Sequence, residues 1–305
     1  MPREVFGADH SFLPHAEILS FEEITRLTTI FLSLGIEKVR LTGGEPLLRR
    51  DLQDLVTMLH GLDGLEDIAL TTNGSRLVEM AMPLRRAGLK RLTISLDSLD
   101  DATFAAMSDS SFPLHRVLRG IDAAQEAGFA PIKINMVVKR GMNDHEVVPM
   151  AQRFCGPQFI LRFIEYMDVG NTNHWTLEDV VPAEEIVSRI RDVLPVKPLP
   201  PNYTGEVARR FQLPEGGEIG IISSVTQPFC RNCTRARLSA DGRLFTCLFT
   251  NVGHDLRGPM RAGASDEELR QLISGIWSAR EDRYSEVRFE QPRPIVKAEM
   301  SLLGG

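Results

Sequence analysis

The sequence predicts an α/β protein built on a parallel sheet, either open or curled into a barrel. Three observations carry this. Short strand-like runs recur at 38–42, 67–71, 91–96, 132–138 and 159–166. Helix-length segments at 49–60, 76–87, 114–127 and 144–153 separate them, and another at 183–193 follows the last strand. Glycines close several helices, with Gly88 after one and Gly128 after another. Strands that alternate with helices in this way pair in parallel through right-handed crossovers.

Each element has a local reason. Residues 1–19, with Pro2, Gly7 and Pro14, show neither a helical nor a strand period and read as a loop. Ser20 and Glu23 form a capping box. Ile24, Leu27, Phe31 and Leu34 then make one apolar helix face, which ends at Gly35. The strands end in polar or glycine-rich features: Gly43, Gly44, Glu45 and Pro46 after the first, and Thr71, Thr72, Asn73 and Gly74 after the second. The third runs through Ser95 to Asp97, the fourth carries Lys133 and Asn135, and the fifth carries Arg162 and Glu165 and exits at Met167. Singly these are turn chemistry or solvated surface. In parallel α/β sheets ligands bind at the C-terminal ends of the strands, so the five in phase favour a ligand site over surface alone. Residues 197–201 (KPLPP) read as a linker, and 218–225 as a strand. Residues 238–248 are hairpin-like around the turn 240–243, and 266–279 is a helix capped by Ser265 with Glu268. This predicts two parts, a barrel-like part over 1–200 and a C-terminal part over 201–305.

Composition sets the bounds. The 305 residues are 43% hydrophobic and 25% charged, which is globular, with a net charge of −6. No global basic field draws the chain to nucleic acid, so an anionic ligand must be held by local arginines. No apolar run approaches a membrane span and no signal-peptide core is seen, so a cytoplasmic protein is expected. Four cysteines do not make a disulfide framework and fit a reducing compartment. Cys155 stands apart and reads as a small core residue.

The other three cysteines carry the chemistry. Cys230, Cys233 and Cys247 are spaced C-x2-C-x13-C, and Arg235 and Arg237 follow the second. Thiolates at this spacing can close on one soft metal centre, either a four-iron cluster or zinc. His254, seven residues after Cys247, could complete a zinc staple. Without it a fourth position stays open, where a substrate can bind. The arginines are fixed forks suited to phosphate or carboxylate.

At 38–47 (KVRLTGGEPL) and 229–247 the chain resembles the GTP 3′,8-cyclases, the radical S-adenosylmethionine enzymes that begin molybdenum cofactor biosynthesis. The resemblance covers essentially the whole chain, down to Gly304 and Gly305. It implies a partial six-stranded, TIM-like (βα) barrel, here missing its first strand, plus a C-terminal iron–sulfur region. It implies Cys230, Cys233 and Cys247 as ligands of a C-terminal [4Fe–4S] cluster with GTP at its uncoordinated iron, which leaves His254 outside. It assigns GTP to Arg40, Thr71, Lys133, Arg235 and Arg237, and S-adenosylmethionine to Gly44, Ser95 and Met167. Arg235, Arg237, Gly304 and Gly305 would serve catalysis. In the family a 5′-deoxyadenosyl radical takes the ribose 3′ hydrogen of GTP, and the product is 3′,8-cyclo-7,8-dihydro-GTP. The implied partners are GTP and, downstream, a cyclic pyranopterin monophosphate synthase, with a homodimer as one mode of assembly. The family's N-terminal C-x3-C-x2-C, which holds the S-adenosylmethionine-cleaving cluster, is absent from these residues, which open with Met1 and Pro2. The favoured expectation is that Met1 is an internal methionine of a longer protein. The other is a shortened relative that binds GTP without radical chemistry. Two further classes stay open, a radical enzyme modifying peptides with an auxiliary cluster and a non-catalytic zinc or nucleotide module.

Overall fold

The computed structural model describes residues 13–303 except 111, 172, 204 and 291–296. The reading of 1–12 as loop and the roles given to Gly304 and Gly305 lie outside the described residues. The elements in chain order are α1 (Phe21–Ser33), β1 (Lys38–Leu41), α2 (Leu52–His60), β2 (Asp67–Thr72), α3 (Leu77–Arg86) and β3 (Arg91–Ser95). Next come α4 (Asp101–Ser108), α5 (Leu114–Glu126), β4 (Ile132–Val138), α6 (Val147–Arg153), β5 (Phe159–Glu165) and α7 (Ala183–Arg191). Then follow β6 (Lys197–Leu199), β7 (Arg209–Gln212), β8 (Glu218–Ile222), β9 (Arg237–Leu238), β10 (Arg243–Phe245) and β11 (His254–Asp255). The chain closes with α8 (Arg257–Arg261), α9 (Asp266–Ser278), α10 (Tyr284–Val287) and α11 (Met300–Leu303).

Among these residues one sheet runs β1-β2-β3-β4-β5-β8-β7-β6 and a small one runs β11-β10-β9. Each pair from β1 to β5, and β5 with β8, is parallel, so six parallel strands form the α/β sheet that the alternation predicts. Both capping boxes form: Glu23 N donates to Ser20 Oγ at 3.2 Å, and Glu268 N to Ser265 Oγ at 3.3 Å.

The stretch predicted as a linker is instead β6, paired antiparallel with β7. Pro198 is tolerated because β6 is the outermost strand, where a missing N–H costs no ladder bond. The sheet therefore continues past residue 200 into β7 and β8. β7 is short and charged, and Arg210 on it pairs with Glu218 at 2.6 Å across the ladder. α4, unread in the sequence, starts where Asp100 accepts from Thr103 N at 2.8 Å.

The two faces of the sheet differ. Ile132, Ile134, Met136 and Val138 of β4 and Phe159, Leu161 and Phe163 of β5 are buried in the main core with the helices. The residues between them point the other way, because side chains alternate along a strand. A second core joins α1 to the C-terminal part through Leu27, Ile30, Leu244, Leu256, Leu269 and Ile273. Ion pairs Arg26–Asp266 and Arg261–Glu23, each at 2.7 Å, rim that junction.

Candidate functional site

The face opposite the main core is polar and basic. In register, Thr71 of β2 lies beside Thr93 of β3, Thr93 beside Lys133 of β4, and Asn135 beside Arg162 of β5. Arg40 of β1 joins this row: its Nη1 donates to Thr71 Oγ1 at 2.9 Å and to Thr93 Oγ1 at 3.1 Å. Much of the Arg40 side chain is exposed at the sheet edge, while its guanidinium end is packed on these hydroxyls. Gly220 of β8 lies beside Arg162 in the register.

These cations crowd one another. Arg91 is neutralised by Asp67, its Nε at 2.8 Å from Oδ1. Arg40, Lys133 and Arg162 enter no ion pair among the described residues. Burial first, then Arg162, Arg91 and Arg40, push the Lys133 ammonium down to about 7. Burial and Arg162 lower Arg40 to about 10, and burial lowers Arg162. Such a face is poised for a polyanion, whose charge would repay both the desolvation and the mutual repulsion.

The rim above it is tied by Glu45. Its carboxylate accepts from Leu47 N at 2.9 Å, Thr72 Oγ1 at 2.7 Å and Asn73 N at 2.8 Å, locking the loop after β1 onto the end of β2. Burial outweighs these bonds and raises the carboxyl. Gly43 in this loop has φ +134°, a conformation side-chain-bearing residues rarely adopt. Gly44 follows it, Ser95 ends β3, and Met167 follows β5, so all three lie at C-terminal strand ends. Asp97 beyond Ser95 accepts from Val137 N at 2.7 Å, and burial raises it to about 6.

Glu165, predicted on the ligand rim, is a correction. It shares its side of β5 with Phe159, Leu161 and Phe163, fully buried away from the basic face. Its carboxylate accepts from Ala183 N and Val225 N at 2.8 Å and from Thr226 N at 2.9 Å. It joins the ends of β5 and β8 to the start of α7.

The cysteine loop is built by a short turn and a hairpin. Cys230–Asn232 form a 3-10 turn in which Cys233 N donates to Cys230 O at 3.1 Å. The β9–β10 pair then returns Cys247 toward it. All four cysteines are free and half-buried. Cys155, expected in the core, instead reaches Glu215 Oε2 at 3.1 Å, although it still packs on the core edge. At Cys233 burial acts upward, but the charge and hydrogen bonds of Arg235, with Arg280, leave the thiol below its ordinary value. Burial raises Cys247. Burial and Arg235 bring Arg237 down to about 10, against the pull of Cys233 and Cys247. Arg235 stacks on Phe229, 5.2 Å from the ring centroid.

Among the described residues no three His, Cys, Asp or Glu side chains converge tightly enough to hold a metal ion as placed. His254 lies exposed on β11, its register partner being Leu244 of β10. The donor chemistry nonetheless fits an iron–sulfur centre: three half-buried thiols, two arginines against their charge, and a buried donor at Arg280 Nη1 without an acceptor among the described residues.

A further cluster lies beside Met167 and went unread in the sequence. Asp168 binds Lys297 Nζ at 2.6 Å, Arg288 Nε at 2.9 Å and Tyr284 Oη at 2.5 Å. Burial works against the Asp168 charge, and the hydrogen bonds from Lys297 and Tyr284 overcome it. This clasp ties the exit of β5 to α10 and the residues before α11.

A family model described as the Radical SAM superfamily matches residues 6–154, and one described as Molybdenum Cofactor Synthesis C matches 159–286. A GTP 3′,8-cyclase of Acidothermus cellulolyticus is 57% identical over 293 residues, 94% of this chain and 81% of its own. Its namesake in Xanthomonas axonopodis pv. citri is 48% identical, and that in Staphylococcus saprophyticus 44%, each over 100% of this chain and 91% of its own.

Proposed function

The chain belongs to the family of GTP 3′,8-cyclases within the radical S-adenosylmethionine enzymes, and from that premise we propose that it holds GTP between the basic sheet face and the cysteine loop. The family's reaction converts GTP to 3′,8-cyclo-7,8-dihydro-GTP at the start of molybdenum cofactor biosynthesis. Arg40, Thr71 and Lys133 take the nucleotide from the sheet side, and Arg235 and Arg237 take it from the loop side. Gly44, Ser95 and Met167 receive S-adenosylmethionine at the strand ends. Cys230, Cys233 and Cys247 hold a [4Fe–4S] cluster, which when bound supplies an iron site for the substrate. The protein's share is placement. Arginines neutralise phosphate charge, hydroxyls of Thr71 and Thr93 fix the Arg40 fork, and the Glu45 clamp keeps the rim loop in shape.

The S-adenosylmethionine-cleaving cluster is a different matter. Outside the C-terminal motif these 305 residues offer Cys155 as their one further cysteine, so no three-cysteine ligand set for it exists within them. The S-adenosylmethionine rim and the sheet side of the nucleotide site lie on 1–200, and the cluster with the arginines that take GTP from the loop side lies on 201–305. Free thiols support a reducing, cytoplasmic setting, and no helix among the described residues is long and apolar enough to cross a membrane. The cyclised nucleotide would pass to a cyclic pyranopterin monophosphate synthase.

The observation that carries this reading is the row of three cations on one sheet face that have no carboxylate partner among the described residues. Calorimetric titration of the chain with GTP and with guanosine tests it. GTP binding that is lost in guanosine and weakened at least tenfold in Lys133→Gln is expected. Equal binding of the two ligands would overturn the phosphate assignment.

A further inference from the structure

We propose that Arg280 is a positioning residue of the cysteine centre, fixing the Cys233 peptide and presenting a spare N–H donor and a permanent charge to the cluster held there. The proposal rests on the reading that Cys230, Cys233 and Cys247 bind an iron–sulfur cluster. Arg280 stands just past the end of α9, where its own N–H closes on Trp277 O at 3.2 Å. Its Nη2 donates to the Cys233 carbonyl at 2.6 Å. Its guanidinium lies over the Trp277 ring at 4.1 Å from the centroid, which fixes the plane of the fork. With one edge bound and one face stacked, the remaining Nη1 is buried and has no acceptor among the described residues. Arg280 and Cys230 line the same cavity.

A buried donor left without a partner is costly to a fold, and natural structures rarely keep one without use. Bridging sulfides and thiolate sulfurs accept N–H bonds, and such bonds with nearby positive charge raise a cluster's reduction potential. The loop is strapped a second time. Glu286 of α10 accepts from Arg231 N at 3.3 Å and pairs with Arg283 at 2.7 Å. The loop therefore has a second anchor, and the fork of Arg280 is more than the loop needs to stay attached.

The test uses the full chain reconstituted anaerobically as wild type, Arg280→Lys and Arg280→Gln. Iron and sulfide are counted first, and the midpoint potential is then read by redox titration followed by electron paramagnetic resonance. Arg280→Gln should bind iron yet hold the added electron at least tenfold more weakly, a shift of about 59 mV to lower potential for a one-electron couple. Arg280→Lys, which keeps the charge and loses the fork, should fall between. Variants that load iron at the wild-type potential and with the wild-type spectrum overturn the proposal. Should Arg280→Gln not load, Arg280→Lys carries the same test: a potential below that of the wild type upholds the role and an unchanged one overturns it. Failure of the wild type itself to take up iron overturns the cluster reading beneath it, a result distinct from either.

Discussion

Lys133 should make GTP binding depend on pH. In the free chain its ammonium titrates near 7, because burial and the charges of Arg162, Arg91 and Arg40 disfavour the protonated form. A triphosphate against the same face reverses that balance and raises the bound-state value, so binding takes up a proton wherever the free lysine is neutral. Below about pH 7 Lys133 is charged beforehand and its contribution is flat. Above it, each pH unit costs about 1.4 kcal/mol until the bound-state value is reached. Between pH 6 and pH 8.5 this amounts to roughly 30-fold in Kd, or about 2 kcal/mol. The nucleotide's own terminal phosphate gains charge near pH 6 and acts in the opposite direction. The quantity to read is therefore the difference in slope between wild type and Lys133→Gln. Calorimetry at pH 8 in two buffers of different ionisation enthalpy should show close to one proton taken up by the wild type and none attributable to this site in Lys133→Gln. Identical slopes, or no proton uptake, would refute the idea that the basic face meets phosphate through Lys133.

Other outcomes follow from the same geometry. The unfolded chain keeps the Lys133 proton to about pH 10 while the native one releases it near 7, so stability of the nucleotide-free chain should rise between those values. Lys133→Met should flatten that rise and add about 1–2 kcal/mol at pH 7 in urea unfolding while weakening GTP binding. Arg235→Ala should weaken GTP binding at least tenfold and leave the iron count intact; loss of iron with unchanged GTP affinity would sink its phosphate role. Glu165→Gln brings an amide against the N–H groups now bonded to its carboxylate, and should lower the unfolding free energy by about 2–4 kcal/mol. An unchanged urea midpoint would contradict its place as a buried joint.

The sheet was legible because short strand-like runs alternate with helix-length segments and end in turn residues, and the capping boxes of α1 and α9 announce themselves within four residues. The basic row was legible in part. Arg40, Thr71 and Lys133 came from matched motifs, and only the register explains why they meet. Glu165 was misplaced because counting polar residues near a strand end ignores which face each one takes; three residues beyond Arg162, it falls on the other side. The 197–201 stretch was misread because proline-rich composition describes linkers and edge strands alike. The Asp168 clasp and Arg280 were out of reach for another reason. Tyr284 lies 116 residues from Asp168, and Arg280 lies 47 from Cys233, so no local pattern joins them. Cys155 shows the limit of residue type as a guide, since its thiol is drawn to the edge by Glu215.

Anaerobic reconstitution of the chain, with iron, sulfide and zinc counted before a GTP titration, tests the account at its centre. It predicts about four irons and four sulfides per chain, little zinc, and GTP binding that chelation of the iron weakens. Zinc without iron, together with no GTP binding, would contradict it.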